Sequence, residues 1–252
     1  MTGLTLTLDA PAELPLDEAL VVVVRLRNDG TEPVVTSSRL DLAEGDLSVW
    51  VGREGADRVR AEWPWPVDSG RREVTLAPGD ELVGSALLLA PAARLFPVPG
   101  DYSVVATFAP RPDAEVASAP VSVRRTEAYD DGGRARRRAL EDPEVVQSIC
   151  SMSEIGSAAE RLDLLARTGA PVARLLSATV TSVTADLGPV VDEAVGATDA
   201  VTVAAALASV LPPGLFPGDE RLALAADAAA DAVAGSGDTT AVALLSGAAT
   251  PG

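Results

Sequence analysis

Hydrophobic and polar positions change their period part-way along the chain. Through residue ~125, apolar positions fall in short β-rich runs separated by Gly, Pro, Asn and Asp. Leu4, Leu6 and Leu8 alternate with Thr5 and Thr7, the period-two signature of a strand that buries one face. The run Leu20 to Leu26 starts almost wholly apolar and then alternates. It ends in Asn28-Asp29-Gly30, residues that tolerate positive φ and so predict a tight turn, with Pro33-Val34-Val35 resuming the chain beyond it. Leu47 to Val51 alternates again, and Trp50 is expected to point into the core. Arg72 to Leu76, Glu81 to Leu89, Asp101 to Phe108 and Val116 to Val123 complete seven or eight strands, the number a two-sheet sandwich requires.

The period then becomes helical. Tyr129-Asp130-Asp131-Gly132-Gly133 and the arginines that follow (Arg134, Arg136, Arg137, Arg138) read as a turn-rich linker. Asp142-Pro143 is an N-cap followed by proline at the first helical position, and Val146, Ile149 and Met152 recur on one face. A second helix is predicted through Ile155, Ala158, Leu162 and Leu165 to Gly169. A third runs from Pro171 through Val172, Leu175, Leu176, Val180 and Val183 to Leu187, its period outweighing the strand propensity of Thr179 to Thr184. Gly188-Pro189 opens a short helix to Val195. Asp199 caps one reaching Leu211, Asp219 an alanine-rich one to Ala234, and Asp238 a last one to Ser246. The expected organisation is therefore a β domain over 1–126, a linker over 127–139, an all-α, alanine-rich domain over 140–247, and a frayed tail over 248–252.

Two turn motifs refine the first half. Leu76-Ala77-Pro78-Gly79-Asp80 precedes one strand, and Pro99-Gly100-Asp101-Tyr102-Ser103-Val104 opens another. With the Asn-Asp-Gly turn, this order resembles bacterial immunoglobulin-like sandwich domains. It is similar to that of intracellular proteinase-inhibitor-like modules, and also to the non-catalytic β-domains beside many enzymes. The resemblance spans roughly half the chain and implies an N-terminal all-β immunoglobulin-like sandwich; with the helical half read from its period, the expected fold class is α+β in separate domains.

Composition narrows the chemistry. There are 252 residues, no His, and all 20 basic residues are Arg, so lysine is absent too. Without either, there is no Ser-His or Cys-His dyad, no imidazole metal ligand, no Schiff-base lysine and no P-loop lysine. Aromatic residues are only 3%, which leaves few rings to anchor a ligand. The net charge of −17 disfavours nucleic acid and an anionic membrane face, and favours a basic protein partner. Residues 126 to 252 carry 18 acidic residues against 8 Arg, making this the more acidic half. Cys150 is the one cysteine, and MTGLTLTLDA lacks the features of a signal peptide, so a cytoplasmic location is expected. The longest uncharged run, Ala200 to Gly218, is interrupted by Pro212-Pro213-Gly214, and no transmembrane segment is predicted.

Each remaining constellation has a bland reading. Asp68-Ser69-Gly70 matches the aspartic-protease tripeptide, yet its nearest second copy, Asp238-Thr239-Thr240, lacks the glycine, so a surface turn is expected. Asp41, Glu44 and Asp46 around Gly45 lack EF-hand spacing and read as a polar turn. Cys150 reads as a buried structural thiol. The Pro-fixed Trp63-Pro64-Trp65-Pro66 stretch reads as a satellite core or, alternatively, an exposed contact patch, and Arg134, Arg136, Arg137 and Arg138 are expected to dock on the acidic helical half, the alternatives being an acidic ligand or RNA. The expected function is a non-catalytic protein-protein interaction or assembly component, with no cofactor or metal and with homo-oligomerisation open. The alternatives are an inhibitor of intracellular proteases presenting Val59 to Ser69, and a carboxylate-based hydrolase.

Overall fold

A computed structural model describes residues 3–65, 67, 70, 72–89, 95–128, 130–181, 187–211, 227, 229–231 and 233–251. Its strands in chain order are β1 (Leu4–Asp9), β2 (Glu13–Pro15), β3 (Val21–Asn28), β4 (Val34–Ser37), β5 (Leu47–Gly52), β6 (Val59–Arg60), β7 (Glu73–Leu76), β8 (Glu81–Leu87), β9 (Gly100–Arg111), β10 (Ala114–Ala117) and β11 (Val121–Thr126). One sheet has the order β1-β3-β8, all antiparallel. The second runs β2-β11-β9-β5-β6 with β10 on β9, and β4 and β7 form a separate ribbon. The run expected as one strand from Val116 to Val123 is two, both paired with β9.

A single core holds the two sheets together. Leu4, Leu6 and Leu8 of β1 and Val22, Val24 and Leu26 of β3 join Leu47, Val49 and Val51 of β5 and Val104, Ala106 and Phe108 of β9. Only one parity of β5 can reach this core, and the aliphatic residues Leu47, Val49 and Val51 take it. Trp50 is half-buried on the other face, in register with Arg60 and Val105, which corrects its expected inward position. Gly79, at φ 89, supplies the left-handed residue of the Pro-Gly-Asp turn. None of Asn28, Asp29 and Gly30 has positive φ. The buried Asn28 side chain organises that corner instead, donating to the Glu32 and Leu76 carbonyls (2.9 and 3.0 Å) and accepting from the Gly30 amide (3.0 Å). The chain therefore leaves the sheet here, and β4 pairs with β7.

The helices are α1 (Asp131–Leu140), α2 (Pro143–Ser151), α3 (Ala159–Thr168), α4 (Pro171–Thr181), α5 (Gly188–Ala197), α6 (Ala200–Val210) and α7 (Thr239–Ser246). Asp142, Asp199 and Asp238 cap their helices as the sequence predicts, each accepting backbone N–H bonds. Helix α3 starts after Ile155, which is half-buried outside it. The expected helical residue Val183 and the Asp219 cap lie outside the described residues, as does most of the helix that cap would open.

Strand β3 shows why its sequence begins Val-Val-Val-Val. Val22 and Val24 enter the core between the sheets, whereas Val21 and Val23 enter the helical core with Val83 and Leu87 of β8. A strand buried on both faces needs no alternation. Helix α6, with nine of its eleven residues buried, covers this outer face. The two halves thus share one seam, where each buried valine contributes roughly 1.5–3 kcal/mol. Hydroxyls reinforce it: Ser85 Oγ donates to the Ala205 carbonyl (2.8 Å), and Ser209 Oγ lies 2.9 Å from Ser85 Oγ and 2.7 Å from the same carbonyl. The chain end expected to fray is held, because Thr250 and Glu81 exchange two backbone hydrogen bonds of 2.9 Å.

Candidate functional site

The most developed polar site lies beside this seam. Gly84 of β8 lets the segment after β4 approach closely, since a Cβ there would stand 2.1 Å from the Leu40 carbonyl oxygen. The segment then folds on its own charges. Asp46 accepts from Ser37 Oγ (2.5 Å) and is forked by Arg39 through Nε (2.8 Å) and Nη2 (2.5 Å). Asp41 accepts from the Glu44 amide (3.0 Å), and the Asp41 and Glu44 carboxyls are hydrogen-bonded to each other. Arg72 pairs with Glu44, whose side chain is 0% exposed.

A cavity of about 290 Å3 opens beside this cluster, lined by Asp41, Arg72 and Ser85 and closed from the helical side by Ala208, Leu244 and Ser246. Burial pushes Glu44 up to about 7, helped by the negative charge and hydrogen bond of Asp41 and opposed by Arg72. Asp41 is raised as well, again by burial, with its hydrogen bonds from Glu44 and Ala43 and the charge of Arg72 holding it down. The pair therefore keeps one proton near neutrality. Its geometry does not suit glycoside hydrolysis, where carboxyls stand ~5–5.5 or ~6.5–9.5 Å apart across the reacting bond. These two touch each other, and Glu44 does not line the cavity. Among the described residues no group of three or more metal-ligating side chains converges, and Asp41, Glu44 and Asp46 are engaged by Arg39, Arg72 and Ser37.

The residues singled out in the sequence are dispersed. Trp63 is half-buried against the helical core with Nε1 buried, and Trp65 is half-buried. The arginine stretch is no linker, since Asp130 caps α1 by accepting from the Gly133 amide (2.5 Å). Arg134 pairs with Asp131, and Arg138 is exposed. Arg136 forks Asp17 (2.5 and 3.0 Å), while Arg137 pairs with Glu141 (2.8 Å) and donates to the Pro97 carbonyl (2.8 Å). Two of the four arginines thus reach the strand half, Arg136 at Asp17 and Arg137 at the Pro97 carbonyl, in addition to the expected contact with the helical half, which Arg137 makes through Glu141. Asp68 and Ser69 lie outside the described residues, and Asp238 is a helix cap. Cys150 is buried, which pushes its thiol up to about 12 and leaves it unreactive.

Sequence reasoning missed Arg72, Glu18 and Arg125. Arg125 carried a signal, because it continues the inward parity of Val121 and Val123 in β11. Glu44 was singled out with Asp41 and Asp46, but its burial carried no signal, since it depends on a loop folding against Gly84.

No protein-family model matches the chain, and no curated protein does. Among solved structures it is similar to the β-glucosidase EmGH1 from Erythrobacter marinus at 18% identity and TM-score 0.29, over 49% of this chain and 15% of that one. A β-glucosidase from Listeria innocua matches at 18% identity and TM-score 0.27, over 48% and 16%. The β-glucuronidase of Bacteroides uniformis matches at 11% and 0.26, over 82% and 32%. The chain thus spans about a sixth to a third of the length of these structures.

Proposed function

We propose that the protein is a non-catalytic interaction component that takes up an extended segment of a basic partner protein along the β4–β7 ribbon. The observation that carries this reading is an open sheet edge. Among the described residues β4 and β7 pair only with each other, and beside them lies a groove of about 640 Å3 lined by Pro33, Val34, Val35, Glu73 and Arg111. A two-stranded ribbon leaves backbone N–H and C=O groups on its outer edges, which an added strand satisfies. Val35 is 49% exposed there, an apolar residue for an incoming side chain to cover. The net charge of −17 selects a basic segment.

Other features support the accompanying expectations. Tyr102 opens β9 and its hydroxyl donates to the Val98 carbonyl (2.6 Å), the arrangement of a tyrosine corner, in favour of an immunoglobulin-like sandwich. A lone free thiol suits a reducing, cytoplasmic setting. The loop that an inhibitor would present is partly packed against the protein where described: Ala61 is buried and Trp63 packs on the helices, while Arg60 and Glu62 are exposed.

The test is purification from native cells after crosslinking, comparing the natural chain with Val35→Arg, a change at an exposed position that repels a basic segment. The expected result is a partner whose crosslinked peptide is basic and maps to residues 33–37, with recovery reduced at least about tenfold in the variant at unchanged thermal stability. A partner retained equally by the variant, crosslinks elsewhere, or a chain that purifies alone would refute the reading.

A further inference from the structure

A second cavity holds a charge whose donors are not all used. Arg125 is 3% exposed, and its guanidinium lies 4.8 Å from the centre of the Phe96 ring. Nη2 donates to the Glu18 carbonyl (2.8 Å), while Nε and Nη1 are buried with no hydrogen-bond partner. A guanidinium has five N–H donors in a planar fork, and burying them unmade is costly. The neighbouring acids are taken by other arginines: Asp17 by Arg136 (2.5 Å) and Glu141 by Arg137 (2.8 Å). Glu18 is held above the usual carboxylate range by burial and by the nearby charge of Asp17.

Arg125 faces a cavity of about 50 Å3 whose walls include Leu16, Leu88, Leu95, Phe96 and Leu140. One water needs roughly 10–15 Å3 of such space, so there is room for a group of a few heavy atoms. One end of the space is a cation with spare donors; Glu18, which burial holds toward its protonated form, and Glu141, paired with Arg137, also line it, and the remaining walls are hydrocarbon. Phosphate and sulfate would set several charged oxygens against leucines, and a dicarboxylate would bury a second charge without a partner.

We propose that this cavity is a binding site for a small monocarboxylate of acetate's size, its carboxylate on the Arg125 guanidinium and its methyl group against the leucines. The ligand satisfies donors that the fold leaves unmade, and it touches the segment before β3, β11 and the end of α1, so its binding fastens α1 to the strands. The site is independent of the β4–β7 ribbon.

The experiment uses the full chain at pH 7 and constant ionic strength, with sodium acetate compared against sodium chloride and sodium pivalate. Thermal unfolding and the Arg125 Nε–Hε resonance are both followed. Acetate several-fold above its Kd is expected to raise Tm by roughly 2–4 °C and to shift the Nε–Hε resonance saturably. Chloride and the bulkier pivalate should do neither, and Arg125→Met should abolish the acetate response. Equal responses to the three anions, an unmoved Nε–Hε resonance, or a folded Arg125→Met chain that still responds would each overturn the proposal. Should that variant fail to fold, the comparison of anions on the natural chain still decides.

Discussion

Two buried charge clusters beside the seam respond to burial in opposite ways. Around Asp41 two carboxyls share one guanidinium, and burial pushes Glu44 up to about 7. Around Arg125 the guanidinium has a backbone carbonyl and an aromatic ring, and burial pulls it down to about 10. The physical cause is the same, since a low dielectric penalises whichever form is charged. The outcomes differ because of where the ordinary pKa values lie. An acid pushed to neutrality can discard its charge by keeping a proton, which here sits in a carboxyl–carboxyl hydrogen bond. A guanidinium lowered to about 10 is still charged at pH 7 and can be satisfied only by acceptors. The first cluster can lower its buried charge by keeping a proton, whereas the second depends on acceptors.

This contrast predicts unequal costs for removing the two arginines. Arg72→Met removes the guanidinium paired with Glu44, whose side chain is 0% exposed, and leaves Arg39 as the nearby positive charge. Breaking a buried pair from one side is expensive, and with Arg72 29% exposed the expected loss is roughly 2–3 kcal/mol at pH 8 by urea unfolding. The same variant should lose less at pH 5, where Glu44 is protonated and needs its cation less. A loss equal at both pH values would show that Arg72 acts by packing alone.

The parts of this picture legible in the sequence are those governed by local rules. Period-two leucines placed β1, aspartates followed by helical periodicity placed the caps of α2, α6 and α7, and the apolar run from Leu20 placed β3, though not the burial of both its faces. What covers it was not legible, because the pairing of Ser85 with Ala205 spans 120 residues and local spacing carries no trace of it. The arginine stretch misled for a related reason. Two glycines and a run of charges read as a linker, yet the Asp130 cap, the Arg137–Glu141 pair and the docking of Arg136 on Asp17 make a helix of it. The acid cluster lay in plain view as Asp41, Glu44 and Asp46, but its burial depends on Gly84 admitting the loop.

A pH series sharpens the comparison from the acid side. Glu44 titrates near 4.5 when unfolded and near 7 when folded, so the folded state binds more protons between those values. Its contribution to stability is therefore fully present below about 4.5 and is lost as pH rises through 7, amounting to on the order of 2 kcal/mol. Glu44→Gln keeps a hydrogen-bonding group toward Asp41 and removes the titration. Urea unfolding from pH 5 to 8 should show a smaller decline in the variant than in the natural chain, and parallel curves would refute the assignment of the proton to this pair.

From the arginine side the expected effect is the smallest. Arg125→Met retains much of the side-chain length and an apolar contact with Phe96 while removing a buried charge with unmade donors. Against that stand the lost bond to the Glu18 carbonyl and the lost attraction of Glu18 and Asp17, so at pH 7 stability should change by no more than about 1 kcal/mol. The sign of the pH dependence is diagnostic. Because the folded pKa lies below the unfolded one, the unfolded chain binds more protons above about 10, and the natural chain gains stability relative to the variant as pH rises through that range. Urea unfolding of both chains at pH 8, 9 and 10.5 measures this difference directly. A difference that stays constant would mean that the Arg125 guanidinium is as well satisfied folded as unfolded, and would erase the contrast with Glu44.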